Sequence, residues 1–453
     1  MCGIAGFCNF KEDFEENTDY WNFRLEKMRA VLAHRGNDAR GRYLKKHIGL
    51  SHSRLAIRDI LCGDQPMTRT HNGYEYTICY NGEIYNTDEL IPELSENGFV
   101  CSTTSDTEVI LYAYIHWGAD FVNRLNGIFA FAIWDAAKSR LLLYRDRVGV
   151  KPLFYAIRGD SLVFGSEPKA CFAHPAVKPE LDKQGLQELL AIGPAHTSGL
   201  SLFKDLFEVL PGHFMIYSQN GLHDETYWEL TSREHTESYQ DTVAHTRFLV
   251  EDAIKRQMVS DVPVCTFLSG GIDSSIVTAI AANYMNTRGK TLNTFSFDFK
   301  DNDRYFKANA FQPERDLPYV NRMLEEYETA HSYLECDENS LFKALFAAVD
   351  AKDMPGMTDV DSSLLYFCSL VSRKNKVALT GECADEIFGG YPWFYRKELL
   401  ERYGFPWSSD VAPRLALLRD DVGLELDLSG YQAFRYEESR SKAPLLYGEA
   451  GGD

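Results

Sequence analysis

From residue 1 to about residue 210 the chain alternates short apolar runs with Gly, Asn, Asp and Pro, at 48–55, 76–80, 127–134, 140–145 and 161–165. Runs of this kind bounded by turn formers predict strands. Two helices interrupt them, over 87–97 and 105–117, the second opening on Ser105, Asp106 and Glu108 as a cap with acids in the first turn. Many strands with few helices predict an α+β layered domain. The stretch LTSREHTESYQD at 230–241 is polar and without apolar periodicity, which predicts a linker. Beyond it the pattern changes. Residues 238–259 carry apolar positions at helical spacing, a β-rich run at 262–268 ends in Ser-Gly-Gly, and a helix follows over 274–285. Further β-rich runs lie at 291–299 and 376–380, the latter again ending in glycine. Strands alternating with helices predict a parallel sheet in an α/β domain, with ligands held beyond the carboxyl ends of the strands. The two glycine ends are then expected to face one crevice.

A length of 453 residues fits two or three domains at ~100 to 200 residues each. The boundaries expected are 2–215 for the first domain, 216–241 for the linker region and 242–453 for the second. Hydrophobic residues at 45%, charged at 25% and aromatic at 13% are ordinary globular values. The net charge of −19 gives a negative field that repels polyanions, so nucleic acid is not expected as a partner. The longest apolar run of the 127–134 region is seven residues, against the ~20 of a membrane span. No membrane partner and no signal peptide are expected. Ten cysteines are scattered without a CxxC pair or a His-rich segment. That indicates neither a zinc site nor a disulfide framework and fits a reducing, cytoplasmic setting.

If the initiator methionine is removed, the chain begins Cys2-Gly3-Ile4-Ala5-Gly6-Phe7, with a thiol and a free α-amine on one residue. The amine's reference pKa of ~7.7 to 8.0 lies near the ~8.5 of a thiol, so the amine can act as the base and no histidine is required. Three segments could serve the same chemistry. Arg54 could grip an α-carboxylate, Glu83 and Asp106 could accept from an α-ammonium, and Asn81 with the Gly82 amide could stabilise an oxyanion. Taken singly, Asn-Gly between β-rich segments also fits a hairpin turn, Arg54 and Asp106 fit solvated charges, and Cys2 fits a frayed terminus.

Taken together, MCGIAGF, His34-Arg35-Gly36, SRLAIRD at 53–59, YNGEIYN at 80–86, SDTE at 105–108, NGIFAFAIWD at 126–135, RDRVGVKPLFY at 145–155 and FGSEPKA at 164–170 resemble class II glutamine amidotransferase domains. The resemblance spans residues 2 to about 215 in order. It implies an N-terminal-nucleophile (αββα) fold with two facing sheets between helical layers, and glutamine hydrolysis through a thioester on Cys2. It further implies that Arg54, Asn81, Gly82, Glu83 and Asp106 hold the substrate and its oxyanion. Asn37 stands where the family usually has proline. Glu167 and Lys169 fall in a matched segment without an assigned role.

The second constellation is Leu268-Ser269-Gly270-Gly271-Ile272-Asp273-Ser274-Ser275, after a strand and at the opening of a helix, where amides and hydroxyls can wrap phosphate. It is not a Walker loop, because Asp273 stands where that loop has lysine. A tight strand-helix turn with Asp as cap fits the same spacing. The other glycine end, Thr380-Gly381-Glu382-Cys383-Ala384-Asp385-Glu386, crowds three carboxylates. Crowded carboxylates raise one another's pKa unless a cation or exposure relieves them, and Mg²⁺ takes one or two carboxylates while keeping phosphate ligands. Asp273 and Asp385 are the expected pair, although acids on the first turn of an exposed helix would look alike.

SGGIDSS with TGECADEIFGGY resembles the pyrophosphatase-loop synthetase domain of the glutamine-hydrolysing asparagine synthetases, and the order of the two domains is similar to theirs. The resemblance implies an α/β ATP-pyrophosphatase-type domain that activates aspartate as an acyl-adenylate, with release of pyrophosphate and attack by the ammonia set free at Cys2. It implies a phosphate loop of Ser269, Gly270, Gly271, Asp273 and Ser274, nucleotide contacts at Thr380 and Gly381, adenine flanked by Leu268 and Phe297, and Glu382 assisting the acyl step. ATP and Mg²⁺ are the implied cofactors, and glutamine, aspartate and ATP the small-molecule partners, with a homodimer left open. Contacts to aspartate are expected at Asp361-Ser362-Ser363. Two other readings stay open: a related amide-forming ligase of β-lactam synthetase or natural-product type, and a glutamine- and ATP-sensing protein without synthesis. Residues 302–318 look longer than the family's link, and the family's later R-x-P-F-x-D segment and lysine are not found before Asp453. That implies a chain on which synthesis fails before hydrolysis.

Overall fold

The computed structural model describes residues 1–308, 314–408 and 410–442. The chain divides into two compact units: Met1–Ser232 with Pro413–Tyr431, and Arg233–Ala412 with Gln432–Lys442. Of the segment at 302–318, residues 309–313 lie outside the described residues, as do 443–453.

The first unit holds twelve strands in two sheets. They are β1 (Gly3–Asn9), β2 (Ala39–Lys45), β3 (Ile48–Arg54), β4 (Met67–His71), β5 (Tyr74–Ile84), β6 (Gly127–Asp135), β7 (Arg140–Arg145), β8 (Phe154–Arg158), β9 (Ser161–Gly165), β10 (Phe207–Glu208), β11 (His213–Ser218) and β12 (Gly221–Thr226). One sheet runs β10-β8-β9-β1-β3-β2 and the other β12-β11-β7-β6-β5-β4, each with antiparallel neighbours.

Strand periodicity explains the layering. Along β6, Ala130, Ala132 and Trp134 meet Ile4, Leu50 and Phe164 of the other sheet, forming the core between the sheets. The intervening Phe129, Phe131 and Ile133 pack with Leu90, Leu94 and Ile110 of the helices Thr87–Glu96 and Asp106–Trp117. On the first sheet Ala5 and Phe7 turn away from the partner sheet onto Trp21, Leu25 and Met28 of the helix Thr18–Ala30. Both faces of each central strand are covered, so these strands read as unbroken apolar runs. The result is the four-layered αββα arrangement.

Two boundaries differ from the sequence expectation. The second sheet continues through the hairpin β11–β12 to Thr226, past residue 215, so the expected linker region begins as a strand. β12 is an edge strand with mostly exposed side chains, which is why it carries no apolar signal. The segment Pro413–Tyr431, expected in the second domain, belongs to the first unit, where Arg414 donates to the carbonyls of Leu190 (3.0 Å) and Gly193 (2.8 Å).

The second unit is built on β13 (Val264–Phe267), β14 (Leu292–Phe299), β15 (Thr329–Cys336) and β16 (Val377–Leu379), all parallel in the order β15-β14-β13-β16. The helix Ile272–Asn286 connects β13 to β14, and Thr358–Val371 precedes β16. Its core joins Cys265 and Phe295 of the sheet to Phe367 and Val371 of the latter helix. Among the described residues no helix is long and apolar enough to cross a membrane.

Candidate functional site

In the first unit the ends of β1, β3 and β5 and the start of the helix Asp106–Trp117 converge on one pocket, lined among others by Cys2, Arg54, Arg58, Gly82, Glu83 and Asp106. The Cys2 thiol donates to Leu55 O (3.6 Å) and accepts from Leu55 N–H (3.4 Å). Burial pushes this thiol up, and with Met1 in place burial also pushes the terminal ammonium down to about 6. An amine of that acidity is a free base at neutral pH.

Asn81 and Gly82 do not form a turn. They lie inside β5, opposite Ala130 and Phe129 of β6, whereas Asn72-Gly73 forms the actual turn between β4 and β5. A Cβ at position 82 would fall 2.3 Å from Ile128 O, so a strand glycine is required by close approach. Asn81 is buried just beside the pocket rather than in its lining, and its Nδ2 has no hydrogen-bond partner. A buried amide donor left unmade costs ~1 to 3 kcal/mol, which marks it as waiting for an acceptor.

Asp106 accepts from Tyr80 Oη (2.9 Å) and Ile84 N–H (3.1 Å), with Arg58 Nη1 at 3.9 Å. Burial raises its carboxyl despite Arg58. Burial, then the charge of Asp106, raises the carboxyl of Glu83 well above the usual range. Two acids held this way favour an incoming cation. Arg54, expected to grip a carboxylate, is otherwise engaged. Its Nη1 donates to Ile60 O (3.2 Å) and Asp64 Oδ1 (3.0 Å), and its Nη2 to Arg58 O and Asp59 O, so it braces the loop at 58–64. Sequence reasoning passed over Arg58 and Lys151. Lys151 is buried, its ammonium lowered by that burial, and its Nζ lies 3.1 Å from Met1 Sδ. Its only sequence signal was membership of the RDRVGVKPLFY segment.

In the second unit the carboxyl ends of β13, β14 and β16 open into a crevice of about 600 Å³. Leu268, Ser269, Gly271, Asp273, Ser274, Phe297, Thr380, Gly381, Glu382 and Asp385 all line it. Gly270 does not; Asp316 and Tyr319 pack against its backbone instead. The Ser274 hydroxyl closes the loop, donating to Gly271 O (3.1 Å), accepting from Ser269 N–H (3.2 Å) and meeting Ser269 Oγ at 3.0 Å. Phe297 packs on Phe367 at 5.2 Å, giving the crevice an aromatic wall. Burial and then the charge of Asp385 raise the Asp273 carboxyl.

The crevice lining carries Asp273, Asp298, Asp316, Glu382 and Asp385 and, among the described residues, no lysine or arginine. Among the described residues no cluster of three or more His, Cys, Asp or Glu is arranged to hold a metal ion. Asp361, Ser362 and Ser363 stay out of this crevice. Asp361 takes both its oxygens to Lys352 Nζ (2.9 Å), and the two serine hydroxyls bond back to carbonyls of their own helix.

Residues 1–228 match the glutamine amidotransferase domain model, and residues 245–451 the asparagine synthase model. Asparagine synthetase [glutamine-hydrolyzing] 3 of Bacillus subtilis is 47% identical over 100% of this chain and 73% of its own length. Asparagine synthetase [glutamine-hydrolyzing] 1 of the same organism is 32% identical over 88% of this chain and 60% of its own. Amidase chyE of Penicillium rubens is 31% identical over 91% of this chain and 62% of its own. This chain spans between 60% and 73% of the length of these three relatives. With both domain models matched in sequence order and this level of identity over its whole length, the chain belongs to the family of glutamine-hydrolysing asparagine synthetases.

Proposed function

We propose that the protein converts aspartate and glutamine to asparagine and glutamate at the cost of ATP, released as AMP and pyrophosphate. The observation that carries this reading is the presence on one chain of a cysteine pocket with an acid pair and an acid-lined crevice on a Ser-Gly-Gly loop.

In the first site the Cys2 thiol attacks the γ-carbonyl of glutamine while its own α-amine, exposed by removal of Met1, takes the thiol proton. The Asn81 Nδ2 and the Gly82 amide are suited to the oxyanion, since the former has no other partner. The proton passes to the departing amide nitrogen, ammonia leaves, and water cleaves the γ-glutamyl thioester to glutamate. Glu83 and Asp106 take the α-ammonium. Arg54 and Arg58 are the cations on the pocket wall for the α-carboxylate, and both already hold protein groups: Arg54 the loop at 58–64, Arg58 the Ile84 carbonyl (2.9 Å) and the Thr87 hydroxyl (3.2 Å).

In the second site the Ser269–Ser274 loop holds the polyphosphate and the Leu268–Phe297 wall the base. Five carboxylates line the crevice, with no basic residue in that lining among the described residues and with Arg315 lying 3.6 Å from Asp298. Such a lining would repel a nucleotide polyanion, so the donor set fits a divalent cation, and Asp273 with Asp385 are the residues that would hold it. Mg²⁺ there supplies charge neutralisation on the phosphates of the leaving pyrophosphate. The aspartate side-chain carboxylate attacks the α-phosphorus, and ammonia then displaces AMP from the acyl-adenylate, with Glu382 assisting. Asparagine formed with the label of amide-¹⁵N glutamine, in step with pyrophosphate release, is the result expected.

A second reading, an amide-forming ligase acting on another acid, is favoured by one feature: Asp361–Ser363 stay away from the crevice, and among the described residues no cationic side chain lines it for an amino-acid carboxylate. Pyrophosphate release driven by another carboxylic acid and not by aspartate would establish it.

A further inference from the structure

We infer that Glu167 is a positioning residue for glutamine hydrolysis, holding the backbone of Cys2 through Arg35; the inference rests on the glutaminase reading above. Cys2 stands one residue before β1, whose pairing begins with Gly3 opposite Ser53 and Ala5 opposite Gly165. The ladder therefore fixes the chain only from residue 3 onward, and the nucleophile's own peptide unit needs another anchor. That anchor is Arg35, whose Nε donates to Cys2 O at 2.9 Å. Arg35 in turn donates from Nη1 to Glu167 Oε1 at 2.7 Å, with both side chains largely buried.

Glu167 is placed by the same strand that it serves. It follows β9, the neighbour of β1, and the intervening Ser166 donates its N–H to Ile4 O (2.9 Å) and accepts from Ile4 N–H (3.0 Å) through Oγ. His34 Nε2 lies 3.0 Å from Oε1, and Lys169 Nζ 3.3 Å from Oε2. Burial alone would raise this carboxyl, yet hydrogen bonds from His34 and Arg35 hold it down at about 2. It is therefore a fixed negative charge throughout the neutral range, and it pairs with the guanidinium that donates to the Cys2 carbonyl.

Productive attack tolerates only ~0.5 Å of error in the reacting constellation. A loosened Cys2 carbonyl lets the residue turn about its own backbone without changing any group proposed to hold glutamine. The experiment is steady-state glutamine hydrolysis by wild type, Glu167→Gln and Glu167→Asp, with ammonia-dependent pyrophosphate release and a thermal melt on each. For Glu167→Gln, kcat is expected to fall at least tenfold with KM within twofold and ammonia-dependent release within twofold. Glu167→Asp keeps the charge but draws it back, so a kcat loss of at least threefold with unchanged KM is expected, and this variant decides the matter if Glu167→Gln does not fold. A wild-type kcat in either folded variant, or a change carried by KM alone, overturns the positioning role while leaving the glutaminase reading intact. A wild-type protein that does not hydrolyse glutamine overturns both.

Discussion

Replacing Gly381 with alanine is a small change with a large expected effect on one half of the chemistry. A Cβ at this position would lie 2.7 Å from Asp273 Cβ, 2.9 Å from Ser274 N and 3.0 Å from Asp273 C. The φ of Gly381 lies outside the left-handed region, so the cost is steric rather than conformational. Two of the three atoms are backbone of the phosphate loop, which cannot swing aside like the tip of a side chain. Moving from 2.7 Å to the 3.4 Å where ordinary contact begins separates the two loops by about 0.7 Å. Overpacking of this kind costs roughly 1 to 3 kcal/mol of stability, and misplacing reacting groups by 1 Å can cost ~100-fold in rate. A loss of ~10- to 100-fold is therefore expected in aspartate-dependent pyrophosphate release. The assay uses ammonia as nitrogen source, which bypasses Cys2, with glutamine hydrolysis on the same sample as the control expected to stay within twofold. Pyrophosphate release within twofold of wild type in Gly381→Ala would refute the claim that the close approach of these loops forms the reacting centre.

Three further outcomes are expected. Cys2→Ala abolishes glutamine hydrolysis and leaves ammonia-dependent activity as it was; residual hydrolysis near the wild-type rate counts against Cys2 as nucleophile. Asp273→Asn and Asp385→Asn each lower pyrophosphate release by ~100-fold or more and weaken Mg²⁺ binding measured by titration calorimetry, while hydrolysis at Cys2 continues; an unchanged Mg²⁺ affinity removes the metal pair. Glutamine binding releases a proton near neutral pH. The raised carboxyl of Glu83 is protonated in the empty pocket, and an α-ammonium beside it favours the ionised form. Binding enthalpies in buffers of different ionisation heat give the number and sign of protons, and proton uptake would contradict the assignment.

Most of the fold could be read along the chain because its periodicities are local. The runs at 127–134 and 140–145 predicted β6 and β7 to within a residue, and Ser105 is the cap of the helix Asp106–Trp117, accepting from Thr107 N–H. What escaped was set by contacts between distant residues. The dipeptide Asn-Gly is the same at 72–73 and at 81–82, but the second is held in a strand by the neighbouring β6. The role of Arg54 turns on a loop whose carbonyls converge on its guanidinium, and that of Arg35 on Glu167, 132 residues away. Asp361 looked available in sequence because nothing there announces its ion pair with Lys352. The exposed edge strand β12 left no apolar mark at all.

The central claim, that Cys2 is the group that opens glutamine, is tested most directly by rapid acid quench of the protein during turnover with glutamine, followed by peptide mass analysis. The account predicts a γ-glutamyl adduct on the peptide that begins at Cys2, with the methionine removed, forming and decaying in step with glutamate. Glutamate released with no adduct at Cys2, or an adduct on another of the ten cysteines, would contradict it.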